Sequence, residues 1–330
     1  MAQDFSILLN KVRGALKFAR SFRAGIPRHF CQNHRPMMFF VDVLSLIVSV
    51  SVLLVLARMK TLFAGLTVKH SWRWALVAAV SLLASVAMSG RFFEISPALS
   101  SLLQLLSVVL MMTPAVSTLG ARNPGVSVWQ IFVVVPLIIV LLWPGLGDLI
   151  SSRGKEPLRL GIPAFSGLCL VLLMSMSTCV GTSLTLASLF FFFAVSLGLF
   201  PAMGWMDLMS PWQSVIPFLL LSAVVLSART IGIRGRAIET AQTRSALVDA
   251  SWALFQDLYG LVWARRIQER VNQFAAREKW NVLLTHEGFR DANGKSPSDL
   301  DLEKPRDALR WVLSRFADEQ WIAEKLYRLG

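Results

Sequence analysis

The chain has 330 residues and a net charge of +13, is 55% hydrophobic and only 16% charged, and has a mean hydropathy of +0.57. Soluble domains carry about a quarter charged residues, so this composition excludes an ordinary soluble globule and points to an all-α, polytopic membrane bundle. The positive excess does not call for nucleic acid. Residues 1–36 hold seven Lys/Arg against one Asp, residues 37–228 nine against five, and residues 229–330 seventeen against fourteen. Charge spread beside apolar segments answers to topology and anionic lipid headgroups, whereas nucleic-acid binding needs one condensed basic face.

Residues 1–36 form a basic N-terminal segment with two readings. Phe5, Leu8, Leu9, Val12, Leu16 and Ala19 share one helical face and Lys11, Arg13, Lys17 and Arg20 lie elsewhere, the pattern of an interfacial amphipathic helix. Alternatively Met37 or Met38 is the true start and the preceding segment is an over-long start assignment. No cleavable signal peptide fits, because the first apolar run begins near Met38, has spanning length and is not followed by an A-x-A-like site.

Residues 37–228 contain about seven apolar segments of the length a bilayer core of about 30 Å requires: 38–57, 74–90, 95–119, 126–146, 160–180, 183–200 and 212–228. Pro97, Pro114, Pro136, Pro144, Pro163 and Pro217 fall within or at the start of these segments and predict kinks, with Ser/Thr hydroxyls satisfying the freed carbonyls. Small residues at four-residue spacing, Ser81, Ser85 and Ser89 and then Ala194 and Gly198, predict close helix contacts. Only Gly181 and Thr182 separate the fifth and sixth segments, which therefore form an antiparallel hairpin.

Counting Lys/Arg beside the segment ends puts Arg58, Lys60, Lys69, Arg73, Arg122, Arg229, Arg234 and Arg236 on one side, against Arg91, Arg153, Lys155 and Arg159 on the other. The positive-inside rule then places the C-terminus in the cytoplasm and the bundle in a bacterial inner, or plasma, membrane. With an odd number of spans the basic N-terminal segment falls outside, which contradicts the rule unless the count is even, the first segment does not cross, or the start lies later.

Residues 229–330 are predicted to form a small, mainly helical cytoplasmic module. Val248, Trp252, Phe255, Tyr259, Trp263, Ile267, Val271 and Phe274 make one apolar stripe along a long helix. Such a stripe packs on the last helix, on the membrane surface or on a partner, and the expectation is a partner-docking face. Trp280–Thr285 reads as a strand and Asn293-Gly294 as a turn. Pro305 suits the first turn of a last helix reaching about Arg328.

Catalytic constellations are sparse. His29, His34, His70 and His286 all lie outside the apolar segments, which leaves the bundle interior without a histidine base. Cys31, Cys169 and Cys179 form no CxxC, so neither metal nor another cofactor is implied. The Gly181-Thr182-Ser183 turn has no basic neighbour in sequence and reads as a hairpin turn. Gly294-Lys295-Ser296 lacks the upstream glycine of a phosphate-binding loop, Phe289 standing in its place. Asp42, Gln104 and Gln130 are the polar groups within the apolar segments. An intramembrane carboxylate is a functional candidate, although Asp42 is near enough to a helix end to reach the interface. The glutamines fit interhelical hydrogen bonds.

The resulting expectation is a non-catalytic membrane scaffold, assembly factor or complex subunit that contacts lipid and a protein partner. A transporter or permease subunit is the alternative if a polar cavity is lined by Asp42, Gln104 and the serines. An intramembrane enzyme, with its cleft near His286 and Glu287, is third.

Overall fold

The computed structural model describes residues 35–88, 95–121, 128–151, 153, 156–203 and 214–329. The segment before residue 35, with its amphipathic pattern and Cys31, and the loop residues Arg91, Arg122, Lys155 and Asp207 lie outside that set. Residues 45–330 form one compact unit, and residues 35–44, the first turns of α1, belong to another.

Each of the seven predicted apolar segments contains a helix among its described residues: α1 (Arg35–Arg58), α2 (Lys69–Ala87), α3 (Pro97–Leu119), α4 (Val135–Ser151), α5 (Ile162–Ser177), α6 (Thr185–Leu199) and α7 (Ile216–Thr240). Among the described residues four stretches are long and apolar enough to cross a membrane: Phe40–Phe63, Pro97–Leu119, Gln130–Ser151 and Ile216–Thr240. The apolar α5 and α6 have 16 and 15 residues. Sixteen residues rise about 24 Å, less than a hydrocarbon core of about 30 Å.

Two prolines are accommodated by local chemistry. Pro114 has no N–H for the Leu110 carbonyl, and the neighbouring Thr113 hydroxyl donates to that oxygen at 2.7 Å. Pro136 likewise cannot serve the carbonyl four residues back. The turn before it widens to a π-helix over Gln130–Val134, with Val135 N–H reaching back to Gln130 O.

The bundle closes around α3. Ser81 of α2 and Ser107 of α3 share a hydrogen bond of 2.9 Å. Gly198 of α6 faces α3 so closely that a β-carbon there would lie 2.6 Å from Val108 Cγ2. Ala194, one turn earlier, is fully buried, so this pair sets the α3–α6 approach.

Beyond residue 228 the chain does not break, because α7 continues to Thr240 and buries Ile231 and Ile238. Then come α8 (Arg244–Glu278), the antiparallel hairpin β1 (Val282–Thr285) and β2 (Gly288–Asp291), α9 (Asp299–Leu313) and α10 (Glu319–Leu326). The Thr243 hydroxyl caps α8 by accepting from Ala246 N–H.

Three sequence expectations are corrected here. The long striped helix is two helices meeting at Gly260, which has φ 77° and ψ 171°. At that point Leu261 N–H leaves the helix and donates to Thr178 O at 3.0 Å. The last helix begins earlier than Pro305 suggests, because Ser298 caps it and Asp299 and Asp301 occupy its first turn. Nor does it run to Arg328: it stops at Leu313, where the backbone of Phe316–Asp318 pairs instead with Gly65–Thr67 of the α1–α2 connection. Thr67 N–H donates to Phe316 O at 2.9 Å and Asp318 N–H to Gly65 O at 2.8 Å. A continuing helix would have needed those groups for itself.

That pairing gives the C-terminal helices and the α1–α2 connection a common core. Met59, Leu66 and Val68 pack in one cluster with Ile231, Phe255, Tyr259, Phe316 and Ile322. A second cluster fills the bundle, with Leu105, Val108, Met112, Leu172, Val195 and Leu220.

Gly260→Ala is expected to be severe. Its φ/ψ pair is accessible essentially only to glycine, and the new methyl would lie 2.4 Å from Thr178 O. A loss of about 3 kcal/mol or more is expected, measurable as a lowered melting temperature of the detergent-solubilised protein. An unchanged melting temperature would show that the break in α8 is not needed.

Candidate functional site

The aromatic stripe turns inward. Val248, Trp252, Phe255, Tyr259, Trp263, Ile267 and Val271 are all buried, each at most 5% exposed, and only Phe274 is partly exposed. Trp252, Phe255 and Tyr259 stack in succession, and the Phe316 ring meets Phe255, Tyr259 and Trp263 edge-on at 5.2–5.4 Å. Trp252 Nε1 donates to Thr285 O and Trp263 Nε1 to Thr118 O. The seven inner residues of the stripe are therefore covered by this chain's own α9–α10 connection, hairpin and α3 end, and they offer no face to a partner.

Tyr259 sits at the centre of this layer. Its hydroxyl donates to Phe316 O at 2.6 Å and lies 2.9 Å from Thr67 Oγ1, which donates to Ala121 O. Burial pushes the Tyr259 phenol far above its ordinary range, so it remains a donor at physiological pH.

A second buried constellation escaped the sequence. Asp257 is 2% exposed at its side chain and pairs with Arg234 Nε at 3.0 Å. Its other oxygen accepts from Ser183 N–H at 2.9 Å, and Arg234 Nη2 donates to Ser183 Oγ at 2.6 Å. The Gly181-Thr182-Ser183 turn does have a basic partner, supplied by α7, about fifty residues away in sequence. The available signal was a lone carboxylate between Phe255 and Tyr259 in a largely apolar face.

Asp257 and Tyr259 both border a cavity of about 310 Å³. Its walls come from α1, α2, α3, α5, α6, α7 and α8, and they are almost entirely apolar, with Leu56, Ala79, Leu82, Met111, Phe191 and Leu220 among them. Most hydroxyls in the wall are turned to backbone: Thr118 donates to Pro114 O, Ser175 to Val171 O, Thr178 to Ser175 O, Ser188 to Thr185 O and Ser227 to Ala223 O, while Ser71 Oγ accepts from Thr118 Oγ1 at 3.0 Å. Asp257, at the edge, has both oxygens engaged. The arrangement can hold an apolar group and gives a water chain or hydrated ion few partners.

Of the polar candidates from sequence, none lines this cavity. Asp42 is half-buried in the second turn of α1, in the unit that ends at residue 44. Gln104 is half-buried midway along the first half of α3. Gln130 ties helices together, its Oε1 accepting from Trp74 Nε1 at 2.8 Å and Ser117 Oγ at 3.0 Å. His286 and Glu287 sit at the hairpin tip with side chains 80% and 63% exposed, so no cleft surrounds them. Among the described residues no three His, Cys, Asp or Glu side chains converge as metal ligands would.

One surface patch remains beyond the stripe. Phe274 meets Trp311 edge-on at 5.6 Å, with Arg270 and Arg277 over the Phe274 ring and Arg315 over Trp311. Trp280 and Lys304 border the same hollow, and Trp311 is 49% exposed.

No protein-family model, curated protein or solved structure matches the chain. The geometry above is therefore the basis for a functional reading.

Two outcomes follow from this geometry. Trp263→Ala removes a ring buried by the chain itself, so the isolated protein should lose about 3–5 kcal/mol, read as a fall in melting temperature with no partner present. Arg234→Met leaves the Asp257 carboxylate buried without its counter-ion and should cost about 3 kcal/mol. Arg234→Met combined with Asp257→Asn should recover part of that loss. Failure of the double variant to recover would mean that the charge pair is not what joins α7, α8 and the α5–α6 turn.

Proposed function

We propose that this chain is a non-catalytic integral membrane scaffold, assembly factor or complex subunit that holds a protein partner at the membrane face through its C-terminal helices. The observation that carries the reading is the aromatic–arginine patch of Phe274, Trp311, Arg270, Arg277 and Arg315, left on the outside of the C-terminal helices with Trp311 exposed. Exposed tryptophan and arginine are the residues that dominate interface energies, and the cationic rim suits a partner with acidic side chains. Because α8 shares its core with the α1–α2 connection, a partner bound there would be held in a fixed position relative to the bundle.

The finer arrangement belongs to the same proposal. All seven helices from α1 to α7 would cross a bacterial inner membrane, with the shorter α5 and α6 shielded by their neighbours, and residues 229–330 would face the cytoplasm. The flanking charge count of eight Lys/Arg against four supports that orientation, and anionic lipid headgroups would meet the same basic side. Transport is the second reading, and the cavity favours it. Its apolar wall would restrict the cargo to apolar or amphipathic molecules.

Orientation is tested by fusions after Gly330. A phosphatase active only outside the cytoplasm should be silent there and a fluorescent protein should glow; the reverse pair would overturn the topology. The patch is tested with a photoreactive residue at position 311 in intact membranes. It should crosslink a protein neighbour, and Arg270→Glu should abolish the adduct while shifting stability by less than about 1 kcal/mol. Adducts confined to lipid would overturn the partner reading.

A further inference from the structure

We propose that the interhelical cavity is a specific site for one acyl chain of an anionic membrane phospholipid, whose headgroup rests against Arg58, Lys60, Lys69 and Arg73. The proposal rests on the membrane reading above but is independent of the protein partner.

Wall chemistry selects the occupant's tail. The lining hydroxyls other than Ser71, which accepts from Thr118, donate to backbone carbonyls, and both oxygens of the one lining carboxylate are engaged. A polar solute entering would lose its hydration without replacement, while a hydrocarbon loses nothing. Engineered apolar cavities of about 150 Å³ stay dry and bind benzene, and this one is about twice as large, at about 310 Å³.

Its position selects a lipid rather than a compact apolar molecule. The α2 side of the wall runs from Ser71 to Leu82, a rise of about 16 Å at 1.5 Å per residue. That is half of a hydrocarbon core of about 30 Å, the depth of one leaflet. The cations lie beside one end of that wall: Met59, Phe63, Val68, Ser71 and Trp72 line the cavity and alternate in sequence with Arg58, Lys60, Lys69 and Arg73. Trp72 Nε1 donates to Leu56 O at 2.7 Å, which holds the end of α1 against the start of α2 and so gathers the two basic pairs. None of the four cations forms an ion pair among the described residues, so each is available to a phosphate.

The test is native mass spectrometry of the detergent-purified full chain, titrated with phosphatidylglycerol or phosphatidylcholine of equal chain length, or with glycerol phosphate. One phosphatidylglycerol should be retained per chain, at least tenfold more tightly than phosphatidylcholine, and glycerol phosphate should not bind measurably. Ala79→Leu and Ala223→Leu, on facing walls, should each reduce retention at least fivefold and raise the melting temperature of the lipid-free protein. Arg58→Gln combined with Arg73→Gln should erase the preference for phosphatidylglycerol while leaving phosphatidylcholine binding unchanged. Retention unaffected by both wall variants, or glycerol phosphate binding as tightly as the lipid, would overturn the site.

If the wall variants do not fold, a phospholipid with a photoreactive acyl chain answers on the wild type. Adducts at Ala79, Met111 or Ala223 support the site, and adducts only at the outward-facing Val77 and Val80 overturn it. Failure of the membrane reading is distinct: the chain would then leave membranes in alkaline carbonate, whatever its lipid affinity.

Discussion

Pairing of the backbone at Gly65–Thr67 with Phe316–Asp318 is the contact on which the rest of the structure depends. It joins the first interhelical connection to a segment some 250 residues later, and it interrupts what would otherwise be a single terminal helix. The interruption turns the Phe316 side chain onto the stripe, where it meets the Phe255, Tyr259 and Trp263 rings edge-on. The Phe316 carbonyl serves both the Thr67 backbone and the Tyr259 hydroxyl. Backbone groups removed from water must find partners, so in forming this pairing the chain also fixes where α8, α9 and α10 rest.

A second constraint operates across α8. Gly260 allows the helix to turn aside where Thr178 O approaches, and one turn earlier Asp257 binds the same α5–α6 turn through Ser183. Arg234 completes the connection from α7. A buried charge pair is costly to desolvate, and its value lies more in fixing one arrangement than in net stability. Here it fixes α7, α8 and the hairpin turn together on the same side of the cavity.

The hydrophobic logic of the cavity follows from membrane helix chemistry. Serine and threonine are frequent on these helices because they are small, and with hydroxyls donating to carbonyls three or four residues back they behave as nearly apolar surface. A serine-rich bundle is therefore not a polar bundle. Ser71, Ser175, Ser188 and Ser227, among the serines that suggest a polar path in the sequence, line a wall suited to hydrocarbon instead, and Gln104 is not part of it.

The sequence by itself determined the helical class and the location of every apolar helix, since period and length are local properties that burial in lipid or protein must satisfy. It also determined the close contact at Ala194 and Gly198 and the compensation of Pro114 by a neighbouring hydroxyl, each a matter of a few adjacent residues, while the connection expected at Gly181-Thr182 is longer, running over 178–184 between α5 and α6. Only the tertiary structure decided what covers the aromatic stripe, because a period of 3.6 shows that a face is buried without naming the surface that buries it. It alone joined Arg234 to Asp257 and Ser183, and Thr67 to Phe316, for no local pattern marks partners separated by 23, 74 and 249 residues. Those long-range pairings turned the predicted docking stripe into core and left Phe274 and Trp311 as an aromatic patch on the surface of the C-terminal helices.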